Sequence, residues 1–189
     1  MASTLQQKMS STIVNKMVEM RASRTLNLVN IEKKLSSLPS ITRCNYRSAR
    51  PCRLYLRWAM NNNNNVVIQL FPKGCIQVLG LHADNVYDKV HYFLSQQLFP
   101  NRLSPPLIKS MTVSLRWCAF DLSTLHSNAR ISNEREIFPA TLVSHPVRVN
   151  DKEHHFHCAL FPSGKAIVTG VISVNQAQDV LTRIVHELM

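Results

Sequence analysis

At 189 residues the chain can bury a substantial core, as one domain or as two small ones. Its 22 Lys and Arg against 11 Asp and Glu give a formal charge of +11 and a pI near 9.9, which points to a polyanionic partner such as nucleic acid or an anionic membrane surface. Five cysteines with no CxxC pair argue against both a disulfide framework and a zinc ribbon, and no apolar run approaches the roughly 18 residues of a membrane span, so a soluble intracellular protein is expected.

Taken in order, residues 1–11 are polar and read as a disordered tail. Thr12 to Met20 has the β-branched and alternating apolar character of a strand, and Leu26, Val29, Ile31 and Leu35 suggest a short helix that ends before Pro39. Ile41 to Tyr46 and Cys52 to Trp58 read as strands joined by the basic loop from Arg47 to Pro51. The five asparagines Asn61 to Asn65 read as a solvated loop. Leu70 to Gly80 has the grammar of two short strands joined by a Pro/Gly turn, and Val86, Val90, Phe93 and Leu94 then recur at helical spacing.

Residues 99–108, with Pro100, Pro105 and Pro106, form the natural joint between two units spanning 12–98 and 109–189. In the second unit Met111 to Cys118 alternates like a strand, Phe120 to Leu125 can start a helix, and Glu136 to Val143 reads as the next strand. Leu160 to Gly170 then repeats the earlier hairpin: Leu70/Leu160, Phe71/Phe161, Pro72/Pro162, Gly74/Gly164, Val78/Val168 and Gly80/Gly170 coincide at one offset, 161 − 71 = 90. A helix carrying Ala177, Val180, Leu181, Ile184 and Leu188 closes the chain. Each unit therefore reads β-α-β-β-β-β-α. The fold class expected is α+β, with ten strands and four helices making a curved antiparallel sheet covered by helices on one side.

No dinucleotide fingerprint, Walker loop, HExxH or nucleophile elbow is present, which speaks against an enzyme, and no cofactor is implied. The run His154-His155-Phe156-His157-Cys158 invites a metal site. On a strand, however, His155 and His157 share one face and His154 and Cys158 the other, so at most two could converge. The same parity places Phe156, Cys158 and Leu160 under the helices and exposes His155, His157, Ala159 and Phe161, with Ile167 and Thr169 beside them. The first unit similarly exposes Val67, Gln69, Phe71, Gln77 and Leu79. An uncovered face with a phenylalanine at corresponding strand ends, on a basic protein, has what a minor-groove binder needs: apolar wedges for a base step and cations for phosphates. A dimer interface or a face covered by another protein is the competing reading.

With these elements in place the pattern resembles the TATA-binding protein family, whose pseudo-two-fold saddle is built from two such repeats with helices on the convex face. Asn133-Glu134-Arg135-Glu136-Ile137-Phe138-Pro139 is similar to the family's second stirrup, and Leu160 to Gly170 to its second hairpin. The resemblance covers about residues 12–188 and implies that Phe138 and Phe161 are wedges at one end of a bent site. It implies that Phe71 and Pro51 are the pair at the other end. Ile167 and Thr169, with Gln77 and Leu79 in the first repeat, would face the groove, while Arg57 and Lys165 would serve phosphate or groove contacts. Glu134, Glu136 and Ile137 fall where the family meets transcription factor IIB.

The departures are specific. Pro51 replaces a phenylalanine, Gln77 and Leu79 replace Val and Thr, and Ser144 stands in place of an arginine. Of the family's paired asparagines only Asn15 is near, since Met111-Thr112-Val113 contains none. The resemblance implies a transcription initiation factor that binds and bends A·T-rich promoter DNA through the minor groove and recruits a IIB-like factor and RNA polymerase. It would work in the nucleus, or at the intracellular site of transcription if the source is viral, without a membrane partner. The alternative is a scaffold within a transcription complex whose degenerate saddle no longer holds DNA.

Overall fold

The computed structural model describes residues 9–60, 65–80, 84–100, 102–119, 121–122, 131–132, 139–149 and 152–188. The elements are β1 (Ser10–Arg21), α1 (Leu28–Leu35), β2 (Ile41–Arg47), β3 (Arg53–Ala59), β4 (Asn65–Leu70), β5 (Cys75–Leu79) and α2 (Asp84–Gln97), then β6 (Leu107–Arg116), β7 (Ile131–Ser132), β8 (Thr141–Val149), β9 (Lys152–Leu160), β10 (Lys165–Val171) and α3 (Val174–Leu188). They fall into two compact units, residues 15–109 and residues 110–189 with the chain before Asn15.

In residues 15–109 the strand order is β2-β3-β4-β5-β1, with every pairing antiparallel. Strict alternation decides which side is covered. Val18 and Met20, Leu54 and Leu56, Val66, Ile68 and Leu70, and Ile76 and Val78 are all buried on one face, where each removes apolar area worth roughly 1.5–3 kcal/mol from water. Val90 and Leu94 of α2 join that core, and Phe93 stacks on Trp58 with ring centroids 4.6 Å apart. The helix α1 lies against β2 and β3. It starts where the Asn27 side chain accepts the Asn30 N–H at 3.1 Å, and Lys33 and Lys34 complement the dipole in its last turn. Glu32 then ties this helix to the edge strand, its Oε1 accepting the Tyr46 N–H at 2.8 Å.

In residues 110–189 the order is β6-β10-β9-β8-β7, again antiparallel. Met111, Val113 and Leu115, Ala166 and Val168, and Phe156, Cys158 and Leu160 form the buried face, and α3 packs against β10 and β8. The start of α3 is fixed reciprocally: Ser173 Oγ accepts the Gln176 N–H at 3.1 Å and Gln176 Oε1 accepts the Ile172 N–H at 2.8 Å. Spacing of three and four then buries Ala177, Val180, Leu181 and Ile184.

Three expectations need correction. The strand β1 begins at Ser10, inside the stretch read as a tail, and β6 begins at Leu107, inside the stretch read as a joint. The strand expected at Glu136 to Val143 is instead β8, Thr141–Val149, preceded by the short β7. Among the described residues there are three helices. The fourth, expected from Phe120 to Leu125, falls on a stretch of which only Asp121 and Leu122 are described.

Candidate nucleic-acid interface

Among the described residues the helices leave one face of each unit's strands uncovered, and the strand register sorts its residues into rows, because directly opposed residues on neighbouring strands project to the same side. In the first repeat one row runs Met17, Leu79, Val67, Arg57, Arg43 across β1, β5, β4, β3 and β2. The next runs Glu19, Gln77, Gln69, Tyr55, Asn45. In the second repeat the corresponding rows are Thr112, Thr169, His157, Ser144 and Ser114, Ile167, Ala159, Leu142 across β6, β10, β9 and β8. Gln77, Leu79, Ile167 and Thr169, the four groove residues implied by resemblance, are half-buried on these faces.

Phe71 and Phe161 each begin a hairpin turn of the same construction. Phe71 N–H donates to Cys75 O at 2.9 Å and Gly74 N–H to Phe71 O at 3.0 Å; Phe161 and Lys165, then Gly164 and Phe161, repeat those bonds at 2.9 and 3.0 Å. Both turns need φ near +80°, which Gly74 and Gly164 adopt. Both phenylalanines are half-buried, so their rings are seated at the sheet yet keep an accessible side. The Lys165 ammonium lies 5.7 Å from the Phe161 ring centroid, placing a cation beside that ring.

Pro51 is exposed in the bend after β2. Phe138, Glu134, Glu136 and Ile137 lie outside the described residues. Arg57 is exposed on β3, and the register gives it neighbours that sequence reading missed. Arg43 lies opposite Arg57, and Arg47 opposite Arg53, so four arginines share one face of the β2–β3 hairpin. Arg43 sits over the Tyr55 ring at 5.8 Å, and Arg53 Nη1 donates to Gln69 Oε1 at 3.2 Å. Period-two alternation across that hairpin was the available signal, since all four arginines occupy odd positions. Asn15 is engaged with the backbone, its Oδ1 accepting the Gly80 N–H at 2.9 Å.

The histidine run divides as strand parity requires. His155 and His157 are exposed on the uncovered face, while Cys158 is buried on the other, where burial pushes its thiol up to about 12. On the face opposite His155 and His157, that thiol cannot join their imidazoles around one metal ion. Cys44 is likewise pushed up to about 11, by burial and then by the nearby Glu32 carboxylate.

Residues 106–189 match the family model described as transcription factor TFIID, or TATA-binding protein. These residues, which make up most of the second unit, are similar to that family. That family is described as one of transcription factors. Among solved structures the Methanococcus jannaschii TATA-binding protein is similar over 93% of this chain and 95% of its own, with a TM-score of 0.68 at 19% identity. The chain therefore has the TATA-binding protein fold, with its second repeat the closer to the family pattern. No curated protein sequence matches it.

Proposed function

We propose that this protein is a promoter-binding transcription initiation factor that holds duplex DNA against the uncovered sheet face through the minor groove and bends it. The observation that carries this reading is the repeated pair Phe71 and Phe161, half-buried at identical turns, with Arg43, Arg47, Arg53 and Arg57 on the uncovered face of the first repeat and Lys165 beside Phe161 in the second. Each repeat, 12–98 and 109–189, would supply half of the site, with Pro51 and Phe138 as the remaining wedges. Apolar wedges open a base step, and the arginines hold the phosphates of the bent strand.

Electrophoretic mobility shift on A·T-rich and pooled duplexes tests it. The complex should form at about 50 mM salt and weaken by orders of magnitude by about 200 mM, as several phosphate-bound counterions are released. No shift on any duplex at low salt would leave the scaffold reading in its place.

The resemblance around Glu134, Glu136 and Ile137 supports a IIB-like partner, and RNA polymerase behind it, with the nucleus as the place of work. Reversing Glu134 and Glu136 to arginine should leave DNA binding within about twofold but abolish capture of the IIB-like protein, because like charges meeting across an interface cost several kcal/mol. Equal recovery of wild type and double variant in a pull-down would remove this partner from the proposal.

A further inference from the structure

Corresponding rows of the two uncovered faces carry opposite chemistry. Gln77 and Gln69 of the first repeat answer to Ile167 and Ala159 of the second at the hairpin offset, 167 − 77 = 159 − 69 = 90. Register completes the comparison: Glu19, Gln77, Gln69 and Tyr55 in one, Ser114, Ile167, Ala159 and Leu142 in the other. One row is a carboxylate, two carboxamides and a phenol; its counterpart is a hydroxyl followed by three apolar side chains.

The polar row is held in place. Glu19, with only 15% of its side chain exposed, accepts from Arg21 Nε through Oε1 at 3.2 Å. On the next strand Cys75 shares this face, its thiol pushed up by burial and then by the Glu19 carboxylate. At the other end Arg53 holds Gln69 Oε1 at 3.2 Å, and Gln77 stands between the two by register.

The minor groove of an A·T pair offers acceptors only, adenine N3 and thymine O2, whereas a G·C pair adds the guanine N2 amino donor. A carboxylate can only accept. Pressed onto an A·T minor groove, the part of Glu19 that stays exposed would meet acceptors only and gain no donor beyond Arg21, which is costly. Pressed onto guanine, it or the Gln77 carbonyl has the N2–H to accept, and the Gln77 amide can donate to a neighbouring base acceptor. The second repeat's Ile167 and Ala159 offer nothing to that amino group.

We propose that Glu19 and Gln77 make the first repeat a reader of G·C in the minor groove, so that the preferred site is composite, with G·C under the first repeat and A·T under the second. The inference rests on the DNA-binding reading above. Arg21, ion-paired with Glu19 at 3.2 Å, offsets the repulsion between that carboxylate and the phosphates.

The test walks a single G·C pair through an A·T-rich duplex core and measures affinity by fluorescence anisotropy at fixed low salt. The guanine is then replaced by inosine, which lacks only the minor-groove amino group. Guanine at one or more positions within one half of the core should tighten binding about tenfold, and inosine there should abolish the gain. Gln77→Val and Glu19→Gln should each reduce the guanine preference, read as the ratio of guanine to inosine affinity at the same position. Inosine binding as well as guanine, or preference kept in both variants, would overturn the proposal with DNA binding intact. Failure to bind any duplex would overturn the DNA-binding reading, and this inference with it.

Discussion

Gly164→Ala should unfold residues 110–189 under conditions where wild type is folded, losing roughly 4 kcal/mol or more of stability. Gly164 has φ +80°, and a Cβ built there would lie 2.6 Å from Cys118 O, 2.7 Å from Trp117 O and 2.8 Å from Cys118 C. These are backbone atoms, so no rotamer change relieves the overlap. Positive φ adds about 1–3 kcal/mol of strain for an alanine. Moving the turn away would also break the Trp117 N–H to Gly164 O bond at 2.9 Å, worth about 1 kcal/mol.

The first repeat uses the same device, since a Cβ on Gly74 would meet Ala22 O and Arg24 O at 2.8 Å. The two tryptophans make the experiment selective. Trp117 lies in the second unit and Trp58, stacked on Phe93, in the first. Urea unfolding followed by fluorescence should show Gly164→Ala shifting the Trp117 transition and Gly74→Ala the Trp58 transition. Gly170→Ala is the control: φ is +92° but the nearest atom, His155 O, is 3.6 Å away, so strain acts alone. A Gly164 variant no less stable than the Gly170 variant would show that the close approach does not demand glycine.

The hairpins were legible in the sequence because turn chemistry is local: Leu-Phe-Pro-x-Gly fixes a bend and a positive φ whatever surrounds it. Parity then sorted the covered face from the uncovered one in β4, β5, β9 and β10. It failed where local rules are overridden. Pro146 within β8 reads as a strand breaker, yet among the described residues β7 pairs with Leu142 and Val143, and Pro146 lies beyond them. There a strand can lack an N–H without losing a ladder bond.

In β1, Lys16 sits at 2% exposure on the same parity as Val18 and Met20. A lysine on the covered side blurs the alternation, and Glu19 on the other side went unnoticed as one carboxylate in a basic chain. The arginine cluster was hidden for another reason. Each arginine is visible alone, but only the pairing of β2 with β3 brings the four together. Site features set by register between strands are nonlocal. Those set by a turn are not.

Phe161→Ala should weaken DNA binding by about ten- to a hundredfold and reduce the bend, and should do both more severely than Phe71→Ala. Opening a base step costs a few kcal/mol, recovered when an aromatic ring fills the gap and the bent duplex meets more protein. Phe161 acts with a cation on its flank, the Lys165 ammonium at 5.7 Å, and with Phe138 as its proposed partner. Phe71 has Pro51 as its proposed partner, a smaller wedge that is itself exposed. The duplex should therefore kink more sharply under the second repeat, and this difference orients the protein on its site. Pro51→Phe, a substitution at an exposed bend, should increase the angle at the first repeat's end and narrow the difference. Energy transfer between dyes on the two DNA ends reports each angle. Matching losses for the two alanine variants, with no gain from Pro51→Phe, would mean that the two ends of the site bend the duplex alike.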